Sequence, residues 1–143
     1  MKLLVTRVNS AKVVVGGKVI GSIGFGLVVF VGIEKNDTRE LFYAIAEKIV
    51  HLRIFDDEEG KFNYSLHDKN YPVLCVSNFT LCAATGKGRR PSFDSAMDKA
   101  LAEQLFPDFV EALREKGLAV EIGSFGAHMD IDLNLNGPVN IIL

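Results

Sequence analysis

Several features that mark a protein's class are missing from this chain, and each gap excludes something. Cysteine occurs twice, as Cys75 and Cys82, in neither a Cys-x-x-Cys spacing nor the density of a small secreted framework. Both are therefore expected as reduced, buried thiols. No apolar run approaches the ~20 residues that a membrane-spanning helix needs. The opening Met1-Lys2-Leu3-Leu4-Val5 meets Arg7 too early for a signal peptide, so the expected location is the cytoplasm. Charge of one sign is lacking as well, since 16 Lys and Arg against 18 Asp and Glu leave a formal −2. That balance argues against broad coating of nucleic acid. It permits a local basic site, because phosphate contacts depend on the field at the patch. Internal repeats, low-complexity segments and linkers are absent. The 143 residues therefore read as one domain, residues 1–143, able to bury roughly two-thirds of the unfolded surface.

Catalytic hallmarks are scarce too. His51, His67 and His128 have no metal-ligand spacing, and neither a metal nor a cofactor is expected. A triad of His128 with Asp130 or Asp132 and a serine can be drawn. No Gly-x-Ser-x-Gly elbow supports it, and a polar strand face explains the same row. Gly24-Phe25-Gly26 lacks the third glycine and the following helix of a phosphate cradle, so it reads as a turn. The acidic run from Asp56 to Gly60 lacks the alternating oxygen ligands of a calcium loop and reads as a solvated hairpin tip.

What is present is mostly strand. Residues 3–15 and 18–23 flank Gly16-Gly17, a pair able to take φ > 0 in a two-residue hairpin. Residues 27–33 form a nearly continuous apolar run, hence a central strand. Asp37-Thr38-Arg39-Glu40 has the spacing of an N-cap with Glu at N3, opening a helix whose Leu41, Ile45, Ile49 and Leu52 share a face. A short strand at residues 53–55 follows, and Phe62, Tyr64 and Leu66 alternate as in a strand. A second helical segment carries Leu101, Leu105, Phe109 and Leu113, with Pro107 predicting a kink or a break into two helices and Gly117 a C-cap. Residues 118–122 form a strand. Met129, Ile131 and Leu133 alternate with Asp130, Asp132 and Asn134, and residues 139–143 form a last apolar strand. Hairpins with two inserted helices predict a single α+β domain with a largely antiparallel sheet.

The chemistry concentrates in residues 73–93. An apolar, β-branched run, Val73 to Val76, turns polar at Ser77-Asn78 and continues through Phe79-Thr80-Leu81. A loop of small residues then carries Lys87, Arg89 and Arg90. A buried strand ending in hydroxyl and amide groups beside basic residues suggests a fixed pocket with an anion clamp. A plain strand end with a solvated turn is the structural alternative. Thr80 has no base nearby in sequence to activate it. It can instead be a packing residue, or part of a strand end whose backbone N–H groups around Phe79 and Thr80 hold a developing oxyanion.

Ser77-Asn78-Phe79-Thr80-Leu81 resembles the Ser-Gln-Phe-Thr-Leu signature of the D-aminoacyl-tRNA deacylases, and Asn136-Gly137-Pro138-Val139 resembles that family's Gly-cis-Pro motif. Arg7-Val8, Gly24-Phe25-Gly26-Leu27, Leu52-Arg53-Ile54-Phe55, Lys87-Gly88-Arg89-Arg90-Pro91-Ser92-Phe93 and Phe125-Gly126-Ala127 extend the likeness in order over nearly the whole chain. Asn78 and Asn140 depart from it, where the family has Gln and usually Thr. The resemblance implies a barrel-like core and a homodimer that hydrolyses D-aminoacyl-tRNA, and glycyl-tRNA mischarged on tRNA(Ala). It implies RNA-assisted catalysis at Ser77, Asn78, Phe79 and Thr80, with proposals for a Thr nucleophile also known. By the same likeness Gly137 and Pro138 aim their carbonyls into the partner's site to exclude L-amino acids, with Arg7 holding the motif. Lys87, Arg89 and Arg90 are the expected tRNA contacts. Neither DNA nor a membrane is an expected partner. Two other readings remain: a tRNA-binding module without activity, and a relative shifted to another aminoacyl-tRNA by the changes at Asn78 and Asn140.

Overall fold

The sheet is laid around β1 (Lys2–Val15), which is paired along both edges. The computed structural model describes residues 1–86 and 88–143; Lys87, expected in the basic loop, lies outside the described residues. Gly16 and Gly17 turn the chain at φ +56° and +79°, the left-handed region that disfavours a Cβ. β2 (Lys18–Ile23) then returns antiparallel to β1, and β3 (Gly26–Gly32) carries on along the same edge, with Ile23 opposite Ala11 and Gly26 opposite Val8.

The other edge of β1 belongs to β8 (Asp130–Ile142). The sequence splits this region at Gly137-Pro138, but the structure runs it as one strand with a large irregularity. Pairing jumps from Thr6↔Asn140 to Val8↔Leu135, so the four residues from Asn136 to Val139 stand opposite Arg7 alone. A bulge in an edge strand is a place where Pro, which donates no ladder hydrogen bond, is tolerated.

The remaining strands are parallel, β6 (Val73–Ser77) beside β3 and β7 (Val120–Ile122) beside β6. Each is reached by a crossover, which the reading as hairpins did not anticipate. The sheet curls until β2 meets β7: a Cβ on Gly21 would lie 2.6 Å from the Ile122 carbonyl oxygen. The result is an α+β domain with a nearly closed, barrel-like sheet and three α-helices among the described residues.

The first crossover holds α1 (Arg39–His51), a hairpin of β4 (Phe55–Asp56) and β5 (Phe62–Tyr64), and α2 (Leu66–Lys69). Leu66 does not continue the strand. Ser65 and Asp68 form a capping box, and its reciprocal hydrogen bonds start a helical turn there. Thr38, not Asp37, caps α1, because Asp37 is engaged by the Met1 ammonium and the Glu34 N–H, both at 2.6 Å. The buried face of α1 is accordingly Phe42, Ala46, Ile49 and Val50, with Leu41, Ile45 and Leu52 half-buried.

The second crossover holds α3 (Lys99–Arg114), which passes through Pro107 as a single helix rather than two. Phe106, Phe109 and Val110 are buried around the proline, and tertiary packing of that face outweighs one lost backbone hydrogen bond. Leu101, expected in the core, is exposed, while Ala102 and Phe106 take its place. On the helix side of the sheet α1 and α3 cover Leu3, Val5, Leu27, Val29, Val73 and Cys75. A smaller cluster of Val8, Ala11, Val13, Ile23, Val28, Leu74 and Val76 fills the barrel interior. β1 serves both clusters by alternation, Leu3 and Val5 on the helix side and Val8 inside. Its pairing with β8 slips between Val8 and Ser10, which reverses the facing beyond and puts Ala11 and Val13 inside with Val8.

Candidate active site

The parallel strands β3 and β6 end side by side, and the crevice beyond the carboxyl ends of such strands is where open α/β sheets bind ligands. Val31 pairs with Ser77 at that end, and the Asn78 N–H donates to the Val31 carbonyl at 2.7 Å. The chain then leaves the sheet. Asn78 Oδ1 accepts from the Thr80 N–H at 3.2 Å and from the Thr80 hydroxyl at 2.5 Å. This cap opens a 3-10 turn over Phe79–Cys82, where the sequence reading placed a strand end. Asn side chains compete for nearby backbone in this way, which is why they favour turns and caps. The turn rests on Gly32, where a Cβ would lie 3.0 Å from Cys82 Sγ and 3.1 Å from the Asn78 carbonyl oxygen.

Two consequences are chemical. The Thr80 hydroxyl gives its proton to an amide oxygen, which is no base, so nothing in this arrangement activates it as a nucleophile. The Thr80 N–H is also engaged. Among the described residues no acceptor meets the Phe79 N–H, which leaves a backbone donor free at the strand end.

That strand end borders a cavity of about 660 Å³. Its walls are apolar, with Phe30, Val76, Met97, Phe125, Met129 and Ile131 among them, and Ser77, Asn78, Phe79 and Thr80 supply the polar end. A cavity of this size with a few convergent polar groups is the usual form of a small-molecule site. The structure thus assembles the four residues of the sequence motif on one wall. It adds some to which sequence reasoning gave no role: Lys99, Phe125 and Met129 reach the lining from the start of α3 and the approach to β8. Phe125-Gly126-Ala127 entered only as part of the likeness, and no motif marked Lys99 or Met129, because they come from segments remote in sequence. His128 also lies on the lining, but its side chain is 97% exposed and 4.0 Å from Asp130. It makes no hydrogen bond to Ser77 or Thr80 among the described residues.

The basic loop leaves the turn on the outer side. Phe79 packs edge-on against Phe93 with centroids 5.0 Å apart, and Ala84 and Ser92 exchange backbone hydrogen bonds of 2.7 and 2.9 Å at the loop's base. Arg89 and Arg90 are exposed beyond it, and neither lines the cavity.

Arg7, Gly137 and Pro138 form a second group outside the cavity of their own chain. Arg7 is 4% exposed. Its Nη1 donates to the Ile54 carbonyl at 2.7 Å and pairs with Asp56 at 3.0 Å, while Nε has no partner among the described residues. A Cβ on Gly137 would sit 3.5 Å from Arg7 Nη2 and 2.8 Å from the Val139 side chain, and Gly137 has φ +119°. The Gly137–Pro138 peptide bond is cis, and both residues are exposed on β8.

Comparison with known proteins gives a consistent picture. A family model described as D-Tyr-tRNA(Tyr) deacylase matches residues 4–143. The D-aminoacyl-tRNA deacylase of Aquifex aeolicus (strain VF5) is 48% identical over 143 residues, covering 100% of this chain and 97% of that protein. That of Bacillus velezensis (strain DSM 23117 / BGSC 10A6 / LMG 26770 / FZB42) is 50% identical, covering 100% and 97%. A solved structure described as "c-Myc DNA Unwinding Element Binding Protein" has a TM-score of 0.93 at 42% identity, covering 100% of this chain and 97% of that one. Another, "Structural Analysis of a probable eukaryotic D-amino acid tRNA deacylase", has a TM-score of 0.88 at 16% identity over 99% and 97%, a likeness of fold.

Proposed function

The chain belongs to the D-Tyr-tRNA(Tyr) deacylase family, and from that premise we propose that it hydrolyses the ester bond joining a D-amino acid to tRNA. Water adds to the ester carbonyl, the bond to the ribose oxygen breaks, and that oxygen takes up a proton as the free D-amino acid leaves. The observation that carries the mechanism is the unpaired Phe79 N–H beside a Thr80 hydroxyl bound to the Asn78 amide oxygen. A backbone donor held at the polar end of an apolar cavity stabilises an oxyanion without reorganising. The neighbouring ribose 2′-OH helps activate the water, a role that no side chain contacting Thr80 fills. The tRNA approaches over Arg89 and Arg90, and the enzyme works in the cytoplasm on RNA rather than DNA.

Selection against L-amino acids is assigned to Gly137 and Pro138 of a second copy. In support of this, the segment bulges from β8 on the exposed surface, away from its own cavity, near the exposed Leu135 and Ile142. A symmetric dimer lends each motif to the partner's Ser77-to-Thr80 wall, where rigid backbone excludes an L side chain and admits a D side chain or glycine. Purified protein assayed on D-Tyr-, L-Tyr- and glycyl-tRNA tests the proposal. Turnover of the D and glycyl esters with the L ester spared is expected. Equal turnover of D and L esters would remove the selective role of Gly137 and Pro138, and no turnover would remove the activity.

A further inference from the structure

Among the described residues, Lys99 is the sole lysine or arginine on the cavity lining, and the motif at the end of β6 gives it no role. It is the first residue of α3. Its side chain crosses Gly126, where a Cβ would lie 3.1 Å from Lys99 Cε and 3.3 Å from Nζ. The glycine, at φ +69°, leaves the ammonium a path over the segment between β7 and β8. The adjacent carboxylate of Asp98 is turned to the N–H groups of Ala100 and Leu101, at 3.0 and 3.3 Å. Among the described residues no carboxylate lies within ion-pair distance of Lys99. Lys99, Gly126 and His128 are exposed, whereas Val76 and Met97 on the same lining are buried. The cation therefore stands at the mouth, across the cavity from no acid that would neutralise it.

We infer that Lys99 holds an anion carried by the substrate, the phosphodiester on the 5′ side of the terminal nucleoside. The inference rests on the deacylase reading above. An ester at the Ser77-to-Thr80 wall places the terminal sugar inside the cavity. The phosphate one sugar away must leave by the mouth to join the rest of the tRNA. A carboxylate on the side chain of an acidic D-amino acid offers the same chemistry from another source. It would have to fold back from the ester toward the mouth, so the phosphate is the assignment made.

The test compares wild type, Lys99→Gln and Lys99→Arg on D-Asp-tRNA and D-Asn-tRNA over a range of salt, alongside equilibrium binding of uncharged tRNA. Lys99→Gln is expected to raise KM about tenfold for both substrates, the scale of one charge-assisted contact, with kcat little changed. The salt slope of tRNA binding should fall by about 0.7, one phosphate contact on a single strand, and Lys99→Arg should restore both. An unchanged slope with a KM penalty confined to D-Asp-tRNA would move the contact to the carboxylate. KM values and slope all unchanged would overturn the inference. Binding of uncharged tRNA needs no turnover, so an inactive wild type would sink the deacylase reading while the slope still judged Lys99.

Discussion

The two faces of the central sheet are finished differently. On the helix side, α1 and α3 lock over Leu3, Val5, Val29 and Cys75, with Phe42 and Phe109 meeting edge-on at 6.1 Å. Inside the barrel the buried residues are fewer and mostly valines, and partly buried Phe30, Met129 and Ile131 continue the lining outward. The cavity opens beyond the ends of β3 and β6, where the two clusters meet: Val31, Ile33, Met97 and Ala102 of the helix side line it together with Val76, Phe30, Met129 and Ile131 of the interior. The middle of the helix side supplies stability, and the site lies at the border it shares with the thinner interior.

Truncation on the two faces should separate these roles. Phe109→Ala empties a fully buried position and should cost about 3–5 kcal/mol in urea unfolding, with KM unchanged in the surviving folded fraction. Met129→Ala, at a half-buried position on the cavity wall, should cost clearly less stability while raising KM. Equal stability losses, or a KM effect from Phe109, would break the comparison.

Within the site, backbone should matter more than the hydroxyl. Phe79→Pro deletes the free N–H and should lower kcat by about 10²–10³ relative to Phe79→Ala, which keeps it. Thr80→Ala should lose less than about tenfold beyond any packing damage. A loss of about 10³-fold or more in Thr80→Ala would make its side chain the nucleophile instead.

Cys75 sharpens the comparison through pH. Burial pushes its thiol up to about 12 from an ordinary 9.0. A group whose folded value is raised favours folding fully below 9.0 and loses that contribution as pH climbs toward about 12. Iodoacetamide should therefore spare Cys75 in the native protein at pH 8 and label it on unfolding, a time course readable by mass spectrometry. Rapid native labelling would mean that the helix-side core opens locally.

The smallest expected effect concerns the outer loop. Arg89→Ala with Arg90→Ala should leave the unfolding midpoint within experimental scatter and weaken tRNA binding. The slope of log affinity against log salt should fall by about 0.7 for each single-strand phosphate that the loop no longer neutralises. An unchanged slope would remove the loop from the tRNA path.

Local chemistry was legible at many positions where neighbours in the chain decide the outcome, though the Ser65–Asp68 capping box and the Asn78 cap passed unread. Gly16-Gly17 turns as expected, because positive φ is a property of the residues themselves. The apolar runs of β3 and β6 are buried strands, and Cys75 and Cys82 are buried and free. Ser77, Asn78, Phe79 and Thr80 share a cavity wall because they are consecutive. Legibility failed where a distant partner intervened. The Met1 ammonium draws Asp37 away from the cap position, and α3 survives Pro107 through the core it packs against.

By itself the sequence determined most element types, α2 and the 3-10 turn after Asn78 excepted, the apolar faces to within one residue of helical rotation, and the polar break after Val76, since these follow from side-chain chemistry and short-range geometry. Tertiary structure alone decided that β3 and β6 end together, that Gly21 and Gly32 let backbones close to a few ångströms, and that Lys99, Phe125 and Met129 meet at one cavity. Those juxtapositions depend on long crossovers in a curled sheet, each carrying at least one helix between parallel strands. The physical reason is that pairing and closure are contests among all strands at once, and no local pattern records which pairing wins.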